Sequence, residues 1–139
     1  MNLILLRRKR PSKGLMAADG ITILVVDDET IPRALRSLVL QKKGYRVVAA
    51  ASGKEALERL AEGVFHLVLS DQMMPGMTGA ELAKIIKSTL PAMPVVLISG
   101  VNEVSADATH ADSFVSKTGG PDLLFNTIAE VLRAYGHGI

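Results

Sequence analysis

The sequence predicts a doubly wound α/β domain, in which a parallel sheet is covered by helices on both faces. Short apolar runs recur five times along the chain, and the stretches between them place apolar residues at helical spacing. The runs are too uniformly apolar to leave one face in water, as expected of strands buried on both sides. Most of them stop at a charged or hydroxyl residue, which gives the sheet one polar edge.

The first run, Ile21-Thr22-Ile23-Leu24-Val25-Val26, is rich in β-branched residues and ends at Asp27-Asp28-Glu29. From Thr30 to Lys43, Ile31, Leu35, Leu38 and Val39 fall at helical spacing, Pro32 is tolerable in a first turn, and Gly44 supplies the stop. Tyr45 to Ala50 forms a second strand. Ser52 followed by Glu55 is a capping-box signature for a helix through Ala61, closed by Gly63. Phe65 to Ser70 is the third apolar run and ends on Asp71. Pro75, Gly76 and Gly79 mark a loop before a helix over Ala80 to Thr89. Pro94 to Ile98 makes a fourth strand that ends at Ser99-Gly100, and Ser113 to Ser116 a weaker fifth that ends at Lys117. Gly119-Gly120-Pro121 then opens a last helix, whose Leu123, Leu124, Ile128, Val131 and Leu132 share a face and which fades at Gly136.

A chain of 139 residues is the size of one domain able to bury a core without staples. The content of 48% hydrophobic and 22% charged residues fits a globular protein, and no run approaches the roughly 20 apolar residues of a membrane span. The absence of cysteine excludes disulfides and thiolate metal sites, and without a secretory signal a cytoplasmic location is expected. Arg7, Arg8, Lys9, Arg10 and Lys13 all precede residue 17, leaving 11 basic against 14 acidic residues beyond it, a balance of −3. The net charge of +2 therefore belongs to a basic tail with no aromatic residue among its charges, and no nucleic-acid partner is expected. Residues 1–20 are expected to form a disordered extension ahead of a domain over 21–136.

In an open parallel sheet, ligands bind beyond the carboxyl ends of the strands. Those ends carry Asp27-Asp28, Asp71, Ser99 and Lys117. Singly, each is a weak sign: an acidic pair after a strand often caps a helix, a loop lysine is usually solvated, and a serine before glycine is usually a turn residue. Three carboxylates gathered at one edge would repel, so the arrangement makes sense chiefly around a cation. Hard oxygen ligands point to Mg²⁺, which retains waters and would accept a phosphate oxygen as well.

This combination resembles the response-regulator receiver family of two-component phosphorelays over nearly all of Ile21 to Tyr135. The loop Asp71-Gln72-Met73-Met74-Pro75-Gly76-Met77-Thr78-Gly79 is similar to the family's through its proline and glycines. The resemblance implies a (βα)5 flavodoxin-like sandwich with strand order 2-1-3-4-5, of the single-domain, chemotaxis-regulator-like kind. It implies that Asp71 accepts the phosphoryl group, that Asp27, Asp28 and Asp71 organise Mg²⁺, and that Met73 lends a backbone carbonyl to the metal. By the same resemblance Ser99 is the switch hydroxyl, Lys117 pairs with the phosphoryl group, and Phe114 is the aromatic side chain that reorients on activation. The implied donor is a histidine kinase or histidine phosphotransfer protein, and the output is an altered protein-binding surface for a downstream partner, with a homodimer among the options. Such a chain is not an enzyme beyond its own phosphorylation and dephosphorylation.

Three departures stand out. Ser99 and Lys117 are only 18 positions apart, so the helix between strands four and five is expected to be short or irregular. Asn102 to His110 has little helix drive and only Val101 and Val104 nearby to bury. Thr118 stands where the family usually has proline, so the preceding bond is expected to be trans, and Gly100 replaces the commoner alanine. Met73 and Val101 leave no polar side chain to guide a hydrolytic water, which predicts slow self-dephosphorylation; a phosphoryl lifetime of only seconds with Mg²⁺ present would contradict this. The competing readings are an interaction module that no longer cycles phosphate and an aspartate-dependent phosphatase. The latter needs a carboxylate two residues after the nucleophile, where Met73 stands. His66, His110 and His137 show no ligand spacing and receive no role.

Overall fold

The computed structural model describes residues 20–100 and 109–137. Its elements are β1 (Thr22–Val26), α1 (Thr30–Lys42), β2 (Arg46–Ala50), α2 (Gly53–Glu62), β3 (Leu67–Asp71), α3 (Gly79–Thr89), β4 (Val95–Ser99), β5 (Ser113–Ser116) and α4 (Gly120–Ala134). The strands form one parallel sheet in the order β2-β1-β3-β4-β5, the expected doubly wound topology. Residues 1–19 of the tail expected over 1–20, and residues 101–108 of the stretch expected to hold a short helix between β4 and β5, with Val101 and Val104, lie outside the described residues. Among the described residues no helix is long and apolar enough to cross a membrane.

Strand side chains alternate between two apolar layers because the period of a strand is two. Ile23, Val25, Leu67, Leu69, Val96 and Ile98 pack with Leu40 of α1 and with Leu124, Ile128 and Leu132 of α4. Leu24, Val26, Val68, Val95 and Leu97 face the other way, onto Ala56 of α2 and Leu82, Ala83 and Ile86 of α3. Every residue of β3 and β4 is buried, so a charge at the end of β3 is held by rigid backbone on both sides.

The helix over α1 is where expected, but its apolar row does not face the core. Ile31, Leu35 and Leu38 are exposed, and the one fully buried side chain of the helix is Leu40. Arg33 and Arg36 turn back toward Asp27, where a carboxylate and a carbonyl are available to them. The Ser52 signature is a cap in altered form: Ser52 Oγ accepts from Glu55 N at 3.1 Å, while the Glu55 carboxylate reaches Ala51 N at 2.7 Å. The complete capping box belongs to α3, where Thr78 and Glu81 exchange backbone and side-chain hydrogen bonds.

A polar clamp closes the opposite end of the sheet. Lys87 Nζ donates to Asp112 Oδ2 at 2.7 Å, to Met93 O at 2.8 Å and to Tyr135 OH at 2.9 Å. Asp112 also accepts from Val95 N at 2.7 Å and from Tyr135 OH at 2.6 Å. The clamp thus ties α3 and the C-terminal end of α4 to the entry of β4 and β5. Burial alone would raise the Asp112 carboxyl, but the bonds from Lys87, Tyr135 and Val95 together hold it below its ordinary value. Its contribution is therefore present above the usual aspartate range and lost as pH falls through the lowered value. Asp112→Ala is expected to cost about 2–3 kcal/mol, because it strands Lys87 and the Val95 amide. Urea melts at neutral pH and near pH 3 check this; the gap between the proteins should narrow on acidification.

His66 and His137 do meet, with ring centroids 5.2 Å apart and the rings edge to face. His66 Nδ1 accepts from Thr22 N at 3.0 Å. Burial, then His137, holds the His66 imidazole below its ordinary value, and the two rings pack at the end of the sheet remote from Asp71.

Candidate functional site

Because all five strands are parallel, their carboxyl ends share one edge. The chain reverses its direction of winding between β1 and β3, and there the sheet cannot be covered by a helix connection. Asp27 and Asp28 follow β1, and Asp71 closes β3, so the carboxylates flank this crevice. Asp27, Asp28 and Asp71 each present an oxygen within 4.8 Å of the others. Asp27 is anchored from the backbone as well, its amide donating to Ala50 O at 3.1 Å.

Lys117 follows β5, and its ammonium lies 3.3 Å from Asp71 Oδ1. That oxygen is buried and accepts no aligned hydrogen bond, which leaves it facing a cation across a short gap. Burial and the nearby Asp27 raise the Asp71 carboxyl above its ordinary value; Lys117 and Arg36 pull in the other direction without cancelling them. An ionised Asp71 therefore costs the metal-free fold stability. Asp71→Asn should raise the melting temperature in the presence of a chelator by a few degrees, roughly 1 kcal/mol. The gain should shrink as pH falls and the native carboxyl becomes neutral; a lowered melting point at pH 7 would contradict the argument.

The remaining sequence candidates are distributed around this centre. Ser99 is buried at the end of β4, the strand next to Asp71, and its carbonyl accepts from Lys117 N at 3.0 Å. Met73 is half-exposed in the loop after β3. Phe114 lies on the edge strand beside Leu97, is 40% exposed and belongs to neither core layer. There is no cis peptide bond among the described residues, so Lys117–Thr118 is trans. Sequence reasoning missed how that turn is held. Ser116 Oγ accepts from Thr118 N at 3.1 Å and lies 3.0 Å from Thr118 Oγ1, and Gly119 N returns to Ser116 O. Two hydroxyls thus shape the turn that delivers Lys117, in place of a proline ring.

Arg36 was also missed. Its guanidinium donates to Asp27 Oδ2, while Arg33 donates to the Asp27 carbonyl at 2.9 Å. A basic residue one to two turns into a helix is ordinarily solvated, and only the backward reach of α1 side chains revealed its target.

Residues 23–129 match the family model described as "Response regulator receiver domain", and the chain belongs to that family. It is 36% identical over 130 residues to the two-component response regulator ORR5 of Oryza sativa subsp. japonica, covering 88% of this chain and 96% of that one. It is 38% identical over 113 residues to the transcriptional regulatory protein ZraR of Escherichia coli, covering 81% of this chain but only 24% of ZraR. The chain thus spans about a quarter of the length of that relative. Among solved structures, response regulator protein TrrA from Thermotoga maritima, in complex with Mg²⁺-BeF, superposes with a TM-score of 0.75 at 32% identity, covering 80% of this chain and 98% of that one. TrrA has also been solved in complex with the histidine kinase ThkA.

Proposed function

We propose that this chain accepts a phosphoryl group on Asp71 from a phosphohistidine, with Mg²⁺ held by Asp27, Asp28 and Asp71. The observation that carries the reading is the buried Asp71 oxygen, open between two further carboxylates and the Lys117 ammonium. Hard oxygen donors at this spacing fit Mg²⁺, with the Met73 carbonyl as a further candidate ligand. When bound, the ion would neutralise carboxylate repulsion and charge on the transferring phosphoryl group. A carboxylate oxygen of Asp71 attacks phosphorus; the P–N bond breaks, its electron pair stays on the imidazole nitrogen, and a P–O bond to Asp71 forms. No general base is required because the nucleophile is an anion. Lys117 reaches the phosphoryl oxygens from the β5 side.

The new charge and acceptor oxygens would draw the Ser99 hydroxyl and bias the ring of Phe114 inward, changing the surface around β5 that a downstream protein reads. The donor is a histidine kinase or histidine phosphotransfer protein, and the complex of TrrA with a kinase supports this. The exposed row Ile31, Leu35 and Leu38 gives such a donor an apolar surface near the acceptor edge, since Leu35 and Lys117 line the same groove. Incubation with Mg²⁺ and acetyl phosphate should add one phosphoryl mass to the wild type and none to Asp71→Asn. Absence of any mass gain on the wild type would leave a module that does not cycle phosphate.

A further inference from the structure

We propose that Arg36 is a tethered cation that competes with the divalent metal for Asp27 and thereby weakens metal binding. The inference rests on the reading of the acidic site as the place for Mg²⁺ and concerns a residue which that reading does not use. Both Asp27 oxygens are already engaged: Oδ1 accepts from Glu29 N at 2.9 Å, and Oδ2 accepts from Arg36 Nη1. The carboxylate is 2% exposed and the Arg36 side chain 18%, so water screens the pair poorly. Arg33 is committed to the backbone carbonyl of Asp27, which leaves Arg36 as the cation on its side chain.

A divalent ion within reach of Asp27, Asp28 and Asp71 would lie one carboxylate away from the guanidinium. Either Arg36 yields Asp27 Oδ2, or it stays and the like charges repel; both weaken binding. A displaced side chain has somewhere to go. Arg36 lines an open groove of about 390 Å³ with Leu35, Val39, Leu124 and Lys117, whose apolar walls suit its stem and whose mouth keeps its head in water. By occupying Asp27 Oδ2, the guanidinium substitutes in part for the metal when none is bound.

The test is Mg²⁺ affinity, measured by calorimetry and by amide chemical shifts on the whole chain without a phosphoryl donor. Arg36→Gln should bind Mg²⁺ roughly tenfold more tightly or better, and Arg36→Lys should stay near the wild type because it keeps the charge. Mg²⁺ should also raise the melting temperature of Arg36→Gln more than that of the wild type, since the variant leaves Asp27 short of a partner. Should Arg36→Gln fail to fold, guanidinium ¹⁵N signals of the wild type decide the matter: the Arg36 resonance should shift with the same Mg²⁺ dependence as the amides of Asp27 and Asp71. Equal affinities in all three proteins, or an Arg36 resonance indifferent to saturating Mg²⁺, would overturn the proposal while leaving the metal site intact. No binding to either wild type or Arg36→Gln would overturn both.

Discussion

Replacing Lys117 by alanine is expected to slow phosphoryl transfer to Asp71 by about 10²–10³-fold, the scale on which a single aimed charge donor acts in a transition state. The ammonium stands 3.3 Å from Asp71 Oδ1, at the mouth of the crevice where the entering phosphoryl oxygens would gather. Its loss has a second effect of predictable sign. Lys117 is the strongest of the influences lowering the Asp71 carboxyl, against burial and Asp27, which raise it. Without it the carboxyl rises further, and because only the ionised form is nucleophilic, the acid limb of the labelling rate should move to higher pH. Stopped-flow or mass measurement of labelling by acetyl phosphate across pH 5 to 8 separates the two effects. A rate within a few-fold of wild type at every pH would show that Lys117 is a surface ion pair and no more.

The residues of this centre were legible in the sequence for a simple reason. Parallel strands buried on both faces read as continuous apolar runs, so the residue at which each run stops is conspicuous, and Asp27, Asp71, Ser99 and Lys117 are such residues. Topology then gathers them, since every run ends at the same edge. What could not be read were interactions that depend on where a side chain points. Helical spacing located α1 but not its buried face, because a row of Ile31, Leu35 and Leu38 looks the same whether it meets a core or a partner. Arg36 looks solvated until its backward course along the helix is known. The clamp of Lys87, Asp112 and Tyr135 joins residues as far as 48 positions apart through single side-chain contacts, which leave no periodic trace. The Thr78 and Glu81 capping box is visible in principle, yet the adjacent Gly79 looks like a loop residue in the sequence and is the first residue of α3.

Gly79 is the position where the largest loss of stability is expected. A Cβ there would lie 2.5 Å from the Asp71 carbonyl, 2.9 Å from Leu97 Cδ2 and 3.0 Å from the Gln72 Cα. Two of the three obstacles are backbone, at the end of a fully buried strand, and cannot rotate away. The start of α3 is pinned against that strand by further bonds: Gly79 N donates to Gln72 O at 2.9 Å, and the buried Gln72 side chain accepts from Ala80 N at 2.8 Å. Helix and strand therefore cannot part by a few tenths of an ångström without stretching both. Gly79→Ala should destabilise the fold by about 3 kcal/mol, at the upper end of overpacking effects, although alanine is the better helix former at an unconstrained site. Because the displaced atom is the carbonyl of Asp71, the surviving folded fraction should also accept phosphoryl groups more slowly. Gly76→Ala makes the control, since its Cβ would meet nothing within 4 Å and only its left-handed backbone, at φ +82°, would be strained. If Gly79→Ala melts within 1 kcal/mol of the wild type while Gly76→Ala costs more, close packing against Asp71 is not what places glycine at the start of α3.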